Sequence, residues 1–149
     1  MPRARLALLA VTASLATVSV RTADAPILHS TTFTPEQIDK LPTSNAGRSR
    51  SLILNRVATA DELDVHVTVL KPGEASHPPH RHVAEELIVV KEGTVEFFLD
   101  GRKERVGPGG VAFLASMEEH NATNVGDKPS FYYVIQWKTP VAKPPAATK

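Results

Sequence analysis

The chain has 149 residues, enough for one domain with a proper core, and its 12 prolines, 8 glycines and many valines favour short strands and turns over a helical bundle. It has no cysteine, which removes disulfides, thiolate metal sites and cysteine nucleophiles together and leaves nitrogen and oxygen as the metal donors. The formal charge of +1 belongs to the ends: residues 45–138 hold 11 Lys and Arg against 13 Asp and Glu, with no basic stripe interleaved with aromatics, so a nucleic-acid partner is not expected.

Residues 1–25 read as an export signal. Arg3 and Arg5 precede an apolar run, Leu6 to Val20, broken only by Thr and Ser and too short for a comfortable membrane span. Ala23-Asp24-Ala25 has the small-residue form of a cleavage site, with Pro26 after it. The expectation is a periplasmic or extracellular protein with no stable membrane span after processing. Residues 26–50 form a lead-in with one short helix. Thr34 is its N-cap, Pro35 its first residue and Gln37 the reciprocal capping partner, while Phe33 and Ile38 are placed to form a hydrophobic staple. Pro42 ends it, and a polar loop runs from Thr43 to Ser51.

From Leu52 onward the pattern is β. Leu52 to Leu54 is a short apolar run, and Leu63, Val65, Val67 and Val69 alternate with Asp64, His66 and Thr68 as in a half-buried strand. Lys71-Pro72-Gly73 makes a turn. Glu86 to Val90 is nearly continuous apolar sequence, which predicts burial on both faces. Glu92-Gly93 turns the chain into a strand from Thr94 to Leu99, and Asp100-Gly101 is a two-residue hairpin signal that sets Arg102 to Val106 antiparallel to it. Val111 to Leu114, Asn121 to Val125 and Ser130 to Trp137 complete the set. Strands therefore fill residues 51–138, and residues 139–149, rich in Pro, Ala and Lys, read as a disordered tail. Many short strands with frequent turns predict an all-β sandwich or barrel, with a jelly roll as the version that encloses a ligand cavity.

The chemistry concentrates in His77-Pro78-Pro79-His80-Arg81-His82-Val83-Ala84-Glu85-Glu86, with His120 and Asn124 downstream. Imidazole and carboxylate are metal donors. On an extended strand His80 and His82 share a face and can chelate one ion, and Glu86 keeps that parity if the strand continues. Glu85 has the opposite parity and is expected to face away. His77 is either exposed or a base at the pocket mouth, and His66 points either into the cavity or out. His29 lies in the lead-in and is not expected to take part. Met117, Phe97, Phe98, Tyr132, Tyr133 and Trp137 are expected mainly in core packing. Asn124 is expected to orient the strand carrying His120.

These residues resemble the cupin superfamily. Its first motif is followed here by Gly73, His80, His82, Glu86 and Gly93, and its second, more loosely, by Gly109, His120 and Asn124. The likeness covers residues 73–124 directly and roughly 50–138 with the flanking strands. It implies a double-stranded β-helix, or jelly-roll barrel, in which His80, His82, Glu86 and His120 ligate one divalent metal. Two departures stand out. The step from Gly73 to His80 is one residue longer than the commonest form, and Ala115 and Met117 stand where the second motif usually has Pro and Gly.

Three histidines and one glutamate leave two open positions on an octahedral Fe, Mn, Ni or Zn ion, into which a bidentate enol, diol or hydroxy-ketone fits. The leading expectation is a metal-dependent oxygenase of a small oxygenated molecule. The alternatives are a non-catalytic module that binds a small molecule or metal, a sugar isomerase or lyase type of cupin, and a metal-free structural cupin. Similar small cupins are often dimers, and the two-faced apolar run at Glu86–Val90 needs cover, so a homodimer is expected.

Overall fold

The computed structural model describes residues 27–139, which form one short helix and eight strands in two sheets. The expected export signal and residues 140–149 of the tail lie outside the described residues. Helix α1 (Pro35–Asp39) starts as its sequence dictates: the Gln37 N–H donates to Thr34 Oγ1 at 3.3 Å, and the Thr34 N–H donates to Gln37 Oε1 at 2.7 Å. Ile38 is its buried residue. Among the described residues no helix is long and apolar enough to cross a membrane.

The strands are β1 (Ser49–Val57), β2 (Ala60–Leu70), β3 (Glu85–Glu92), β4 (Val95–Leu99), β5 (Arg102–Val106), β6 (Val111–Leu114), β7 (His120–Asn124) and β8 (Ser130–Lys138). They form a five-stranded sheet in the order β1-β2-β8-β3-β6 and a three-stranded sheet in the order β5-β4-β7. Every pairing is antiparallel. This is the all-β jelly-roll architecture expected.

β1 is longer than its three-residue apolar core, because register shifts after Ser51 and after Asn55 break its alternation while it pairs along β2. The β4–β5 hairpin closes as its Asp-Gly signal requires, with Leu99 opposite Arg102 and positive φ at both Asp100 (45°) and Gly101 (92°). Gly93 has φ +78°, and a Cβ there would lie 2.7 Å from the Ser130 Cα, so the turn into β4 passes against β8 only with glycine.

The core lies between the sheets and is made by Leu70, Ile88, Val90, Val95, Phe97, Ala112, Leu114, Ala122, Tyr132 and Val134. β3 departs from the expectation of two buried faces. Glu86, Ile88 and Val90 are buried, but Leu87 and Val89 on the other face are only half-buried. β2 is also inverted relative to a simple amphipathic strand: polar His66 and Thr68 face the interior, and Leu63, Val65 and Val69 sit half-buried outside. The interior at this end of the sandwich is polar.

Candidate metal centre

Residues 71–84 link β2 to β3, and residues 73–80 run antiparallel alongside β7, where backbone pairing fixes their course. The Gly73 N–H donates to Asn124 O, the Ser76 N–H to Ala122 O, and His80 and His120 exchange both backbone hydrogen bonds at 3.1 and 3.0 Å. His80 and His120 therefore stand side by side. Asn124 holds the far end of β7 as expected: it is fully buried and donates to Leu70 O and Lys128 O, both at 2.8 Å.

The chain does not run as one strand from His80 to Glu86, contrary to the parity argument. It bends through residues 81–84, and β3 begins only at Glu85. Two bonds from the loop before β7 hold the bend, from the Met117 N–H to His82 O and from the Ser116 hydroxyl to Val83 O, both at 2.9 Å. This folding of the loop, rather than strand alternation, brings His80 and His82 together with His120, and Glu86 meets His82 from the start of β3. Arg81 fixes the loop from outside by donating to Met117 O at 2.9 Å and pairing with Asp100 at 3.3 Å.

His80, His82 and His120 each offer a nitrogen, and these atoms lie within 4.8 Å of one another. His82 Nδ1 lies 2.9 Å from Ala84 O and His120 Nδ1 lies 2.8 Å from Glu118 O. A carbonyl can only accept, so each Nδ1 carries a proton and donates it, which leaves both Nε2 atoms bare in the neutral rings. Those two Nε2 atoms face each other at 3.1 Å. Two imidazole nitrogens at about 2.1 Å from one ion and at right angles lie about 3 Å apart, so the spacing fits a shared metal. Tying Nδ1 to a backbone carbonyl is also how metal-binding histidines are oriented.

Glu86 is buried at the start of β3, with Oε2 3.3 Å from His82 Nε2. Gln136 of β8, opposite it in the sheet, donates from its amide to Glu86 Oε2 and lies 3.2 Å from His82 Nε2. Burial works to raise the Glu86 pKa, but hydrogen bonds from His82 and Gln136 and the nearby His120 outweigh it, and the carboxyl is held below its ordinary value. Burial lowers the His80 pKa, with the neighbouring imidazoles adding to the effect. Burial lowers His120 as well. His82 moves up, chiefly through its hydrogen bond to Glu86. Near neutral pH the cluster thus presents an ionised carboxylate and neutral His80 and His120 rings, the protonation states metal binding requires.

A cavity of about 160 Å³ opens beside the cluster and is lined in part by His66, Thr68, Ser76, His77, Asn121 and Tyr132. The Tyr132 hydroxyl, raised far above its ordinary pKa by burial and bonded to Ser76 and Thr68, is a fixed neutral group in this wall. His77 packs its ring edge-on against His80 with centroids 4.0 Å apart, while its Nδ1 meets Pro78 O at 2.9 Å. His66, which parity left undecided, faces the cavity. Gln136 was not anticipated. A polar residue at the inward parity of Ser130, Tyr132 and Val134 was the available signal, but alternation alone does not show which face is inside.

The Cupin domain family matches residues 66–136. The dimethylsulfoniopropionate lyase DddQ of Ruegeria pomeroyi is 33% identical over 90 residues, which cover 60% of this chain and 43% of the lyase. The chain therefore spans less than half the length of that relative. The crystal structure of the same lyase superposes with a TM-score of 0.52 at 28% identity, covering 73% of this chain and 56% of the lyase chain. A Cupin 2 conserved barrel domain protein from Salinispora arenicola superposes with a TM-score of 0.58 at 23% identity, over 74% of this chain and 91% of the other. With the two-sheet fold and the grouped histidines already in place, these likenesses assign the chain to the cupin superfamily.

Proposed function

We infer that the protein is a metal-dependent enzyme that holds one divalent ion between His80, His82, His120 and Glu86 and acts on a small oxygenated organic molecule in the adjoining cavity. The observation that carries this reading is the pair of bare Nε2 atoms of His82 and His120 facing each other at 3.1 Å, with both Nδ1 atoms committed to backbone carbonyls. Two lone pairs so placed repel unless a metal ion or a proton stands between them, and a proton on His82, which Glu86 favours, is what a metal would displace. Glu86 supplies the anionic donor, and Gln136 holds it in position. A bound Fe, Mn, Ni or Zn ion would supply positive charge to a substrate oxygen. The chain's own groups do the rest: the neutral polar wall of Thr68, Ser76, Asn121 and Tyr132 orients the molecule, and His77 and His80 of the connection between β2 and β3 line the cavity beside it.

The likeness to a lyase supports elimination chemistry. The oxygenase reading rests on the donor set alone, three neutral nitrogens and one carboxylate with room for two further oxygens. Elemental analysis of purified wild-type protein and the His82→Ala variant tests the centre. One equivalent of metal in the first and little in the second is expected, and metal absent from both, or equal in both, overturns it. Oxygen uptake and dimethylsulfoniopropionate cleavage by the metal-loaded protein then separate the two chemistries. Stoichiometric metal without turnover across a wider panel of diols, diketones and hydroxy-ketones points to a binding module instead.

A further inference from the structure

β2 carries a second group of chemical interest that the metal reading does not use. His66 lines the same cavity as His77, His80, Glu86 and His120, and its Nδ1 lies 3.1 Å from Asp64 Oδ1, two residues earlier on the strand. A carboxylate at that nitrogen accepts its N–H. In the neutral ring this places the proton on Nδ1 and leaves Nε2 bare. The side chains are 24% and 26% exposed, sheltered enough to hold their geometry and open enough to meet a solute.

The sheet fixes where this pair stands relative to the metal cluster. Asp64 is opposite Gln136, and Gln136 is opposite Glu86, so the pair sits two strands from Glu86, about 10 Å across the sheet backbone. Gln136 stands between Asp64 and Glu86 on the same face, and His66, one inward position further along β2, lines the one cavity together with Glu86, His80 and His120. The rest of the lining includes Asn45, Ser49 and Thr68, and it holds no lysine or arginine. Such a wall suits hydroxyl and carbonyl oxygens better than a phosphate.

We propose that His66, oriented by Asp64, is the acid–base group of the cavity, and that the reaction is a proton transfer at a carbon next to a carbonyl or carboxyl group. This rests on the reading that substrate binds at the metal cluster. His66 Nε2 takes the proton as the C–H bond breaks, and the bonding pair becomes the double bond of an enolate with its charge on oxygen. In an isomerisation the proton returns to the adjacent carbon. In an elimination the leaving group on the β-carbon departs with its bonding pair, and His66 gives its proton to solvent. Neither course consumes an oxidant or a reductant.

The test uses metal-loaded full-length protein in D2O with two probes, dihydroxyacetone and dimethylsulfoniopropionate, followed by proton NMR for α-hydrogen exchange and for elimination. Wild-type protein is expected to exchange or cleave at least one probe. His66→Gln should slow that reaction by about 10²-fold or more with metal content unchanged. Asp64→Asn should lower kcat while KM holds. Nitrogen-15 spectra should show His66 protonated on Nδ1 in the wild type and shifted towards Nε2 in Asp64→Asn, which checks the orienting bond, while the loss in kcat at constant KM is the change a merely structural pair would not produce. Metal-bound wild type inert to both probes, or His66→Gln reacting at the wild-type rate, would overturn the proposal. Metal analysis on the same samples separates the failures. Protein without metal defeats the metal reading and this inference with it, whereas metal-bound protein indifferent to His66→Gln defeats this inference alone.

Discussion

The contact between the Gln136 amide and Glu86 ties the proposed centre to a residue that is not itself a proposed donor. A carboxylate buried at the start of β3 keeps its charge only if hydrogen bonds replace lost hydration, and Gln136 supplies one of them. Gln136→Leu removes that donor while keeping similar bulk. Metal affinity, measured by chelator competition, should fall by roughly 10–100-fold, and Gln136→Asn should recover part of it if the amide reaches. Unchanged affinity in the leucine variant would show that Glu86 stands without Gln136. Protons compete at the same donors, and the pKa shifts set the order of competition. His82, raised by Glu86, holds a proton to higher pH than an ordinary imidazole, while His80 and His120, lowered by burial, take protons only at lower pH. Metal affinity should therefore fall by roughly tenfold per pH unit once the pH drops below the His82 pKa, and more steeply as His120 and His80 follow. Zinc titrations between about pH 5 and 8 check this, and a flat profile would exclude His82 as a donor.

At the level of elements, the loop between β6 and β7 carries strain that a substitution can expose. Met117 sits at φ +65°, a conformation that costs a residue with a side chain about 1–2 kcal/mol, and its N–H and carbonyl are both committed, to His82 O and to Arg81. The resemblance noted from sequence puts a glycine in this part of the second motif, so the backbone keeps a glycine-like shape although the residue has changed. Met117→Gly should raise stability by about 1 kcal/mol, read as a higher midpoint in thermal denaturation, with metal binding unchanged. A lower midpoint would mean that Met117 contributes packing that outweighs the strain. The same scale shows why the sequence was legible in parts. Asp100-Gly101 and the β5 and β6 boundaries followed from turn chemistry alone, which is local. The four candidate ligands were picked out by motif, and three of them, His80, His82 and His120, are grouped, but the bend at residues 81–84 was not foreseen, because Ser116 and Met117 create it from a distant loop. β2 was legible only in part, for a third reason. Its alternation defines two faces without showing which is inside: Asp64, His66 and Thr68 turn to the polar site, and the valines to the other face, where Val67 is nevertheless buried.

That inversion governs the whole molecule. On the outer face of the five-stranded sheet, Ile53, Val65, Ile135, Leu87 and Phe113 stand in register across all five strands, and a second apolar row runs from Val67, already fully buried, through Tyr133 and Val89 to the exposed Val111. Sheets that face water normally alternate polar residues outward, so a row of this width calls for a cover. α1 lies near the Phe131 and Tyr133 end, but exposure is greatest on the other flank, where Val111 and Phe113 of the edge strand β6 are each 53% exposed and Phe113 stacks on Trp137. Among the described residues β6 is also an edge strand, so a second copy related by a two-fold axis can stack on the apolar face beside it. This keeps the expected homodimer as a proposal about one face. Sedimentation of the full chain at micromolar concentration should give a dimer, and Phe113→Asp with Val111→Lys should give a monomer with metal stoichiometry retained. The metal cluster opens on the other face of the sheet, so loss of the dimer should not loosen the donors. A monomeric wild type would assign the cover to segments of the same chain, and a variant that stays dimeric would move the interface elsewhere.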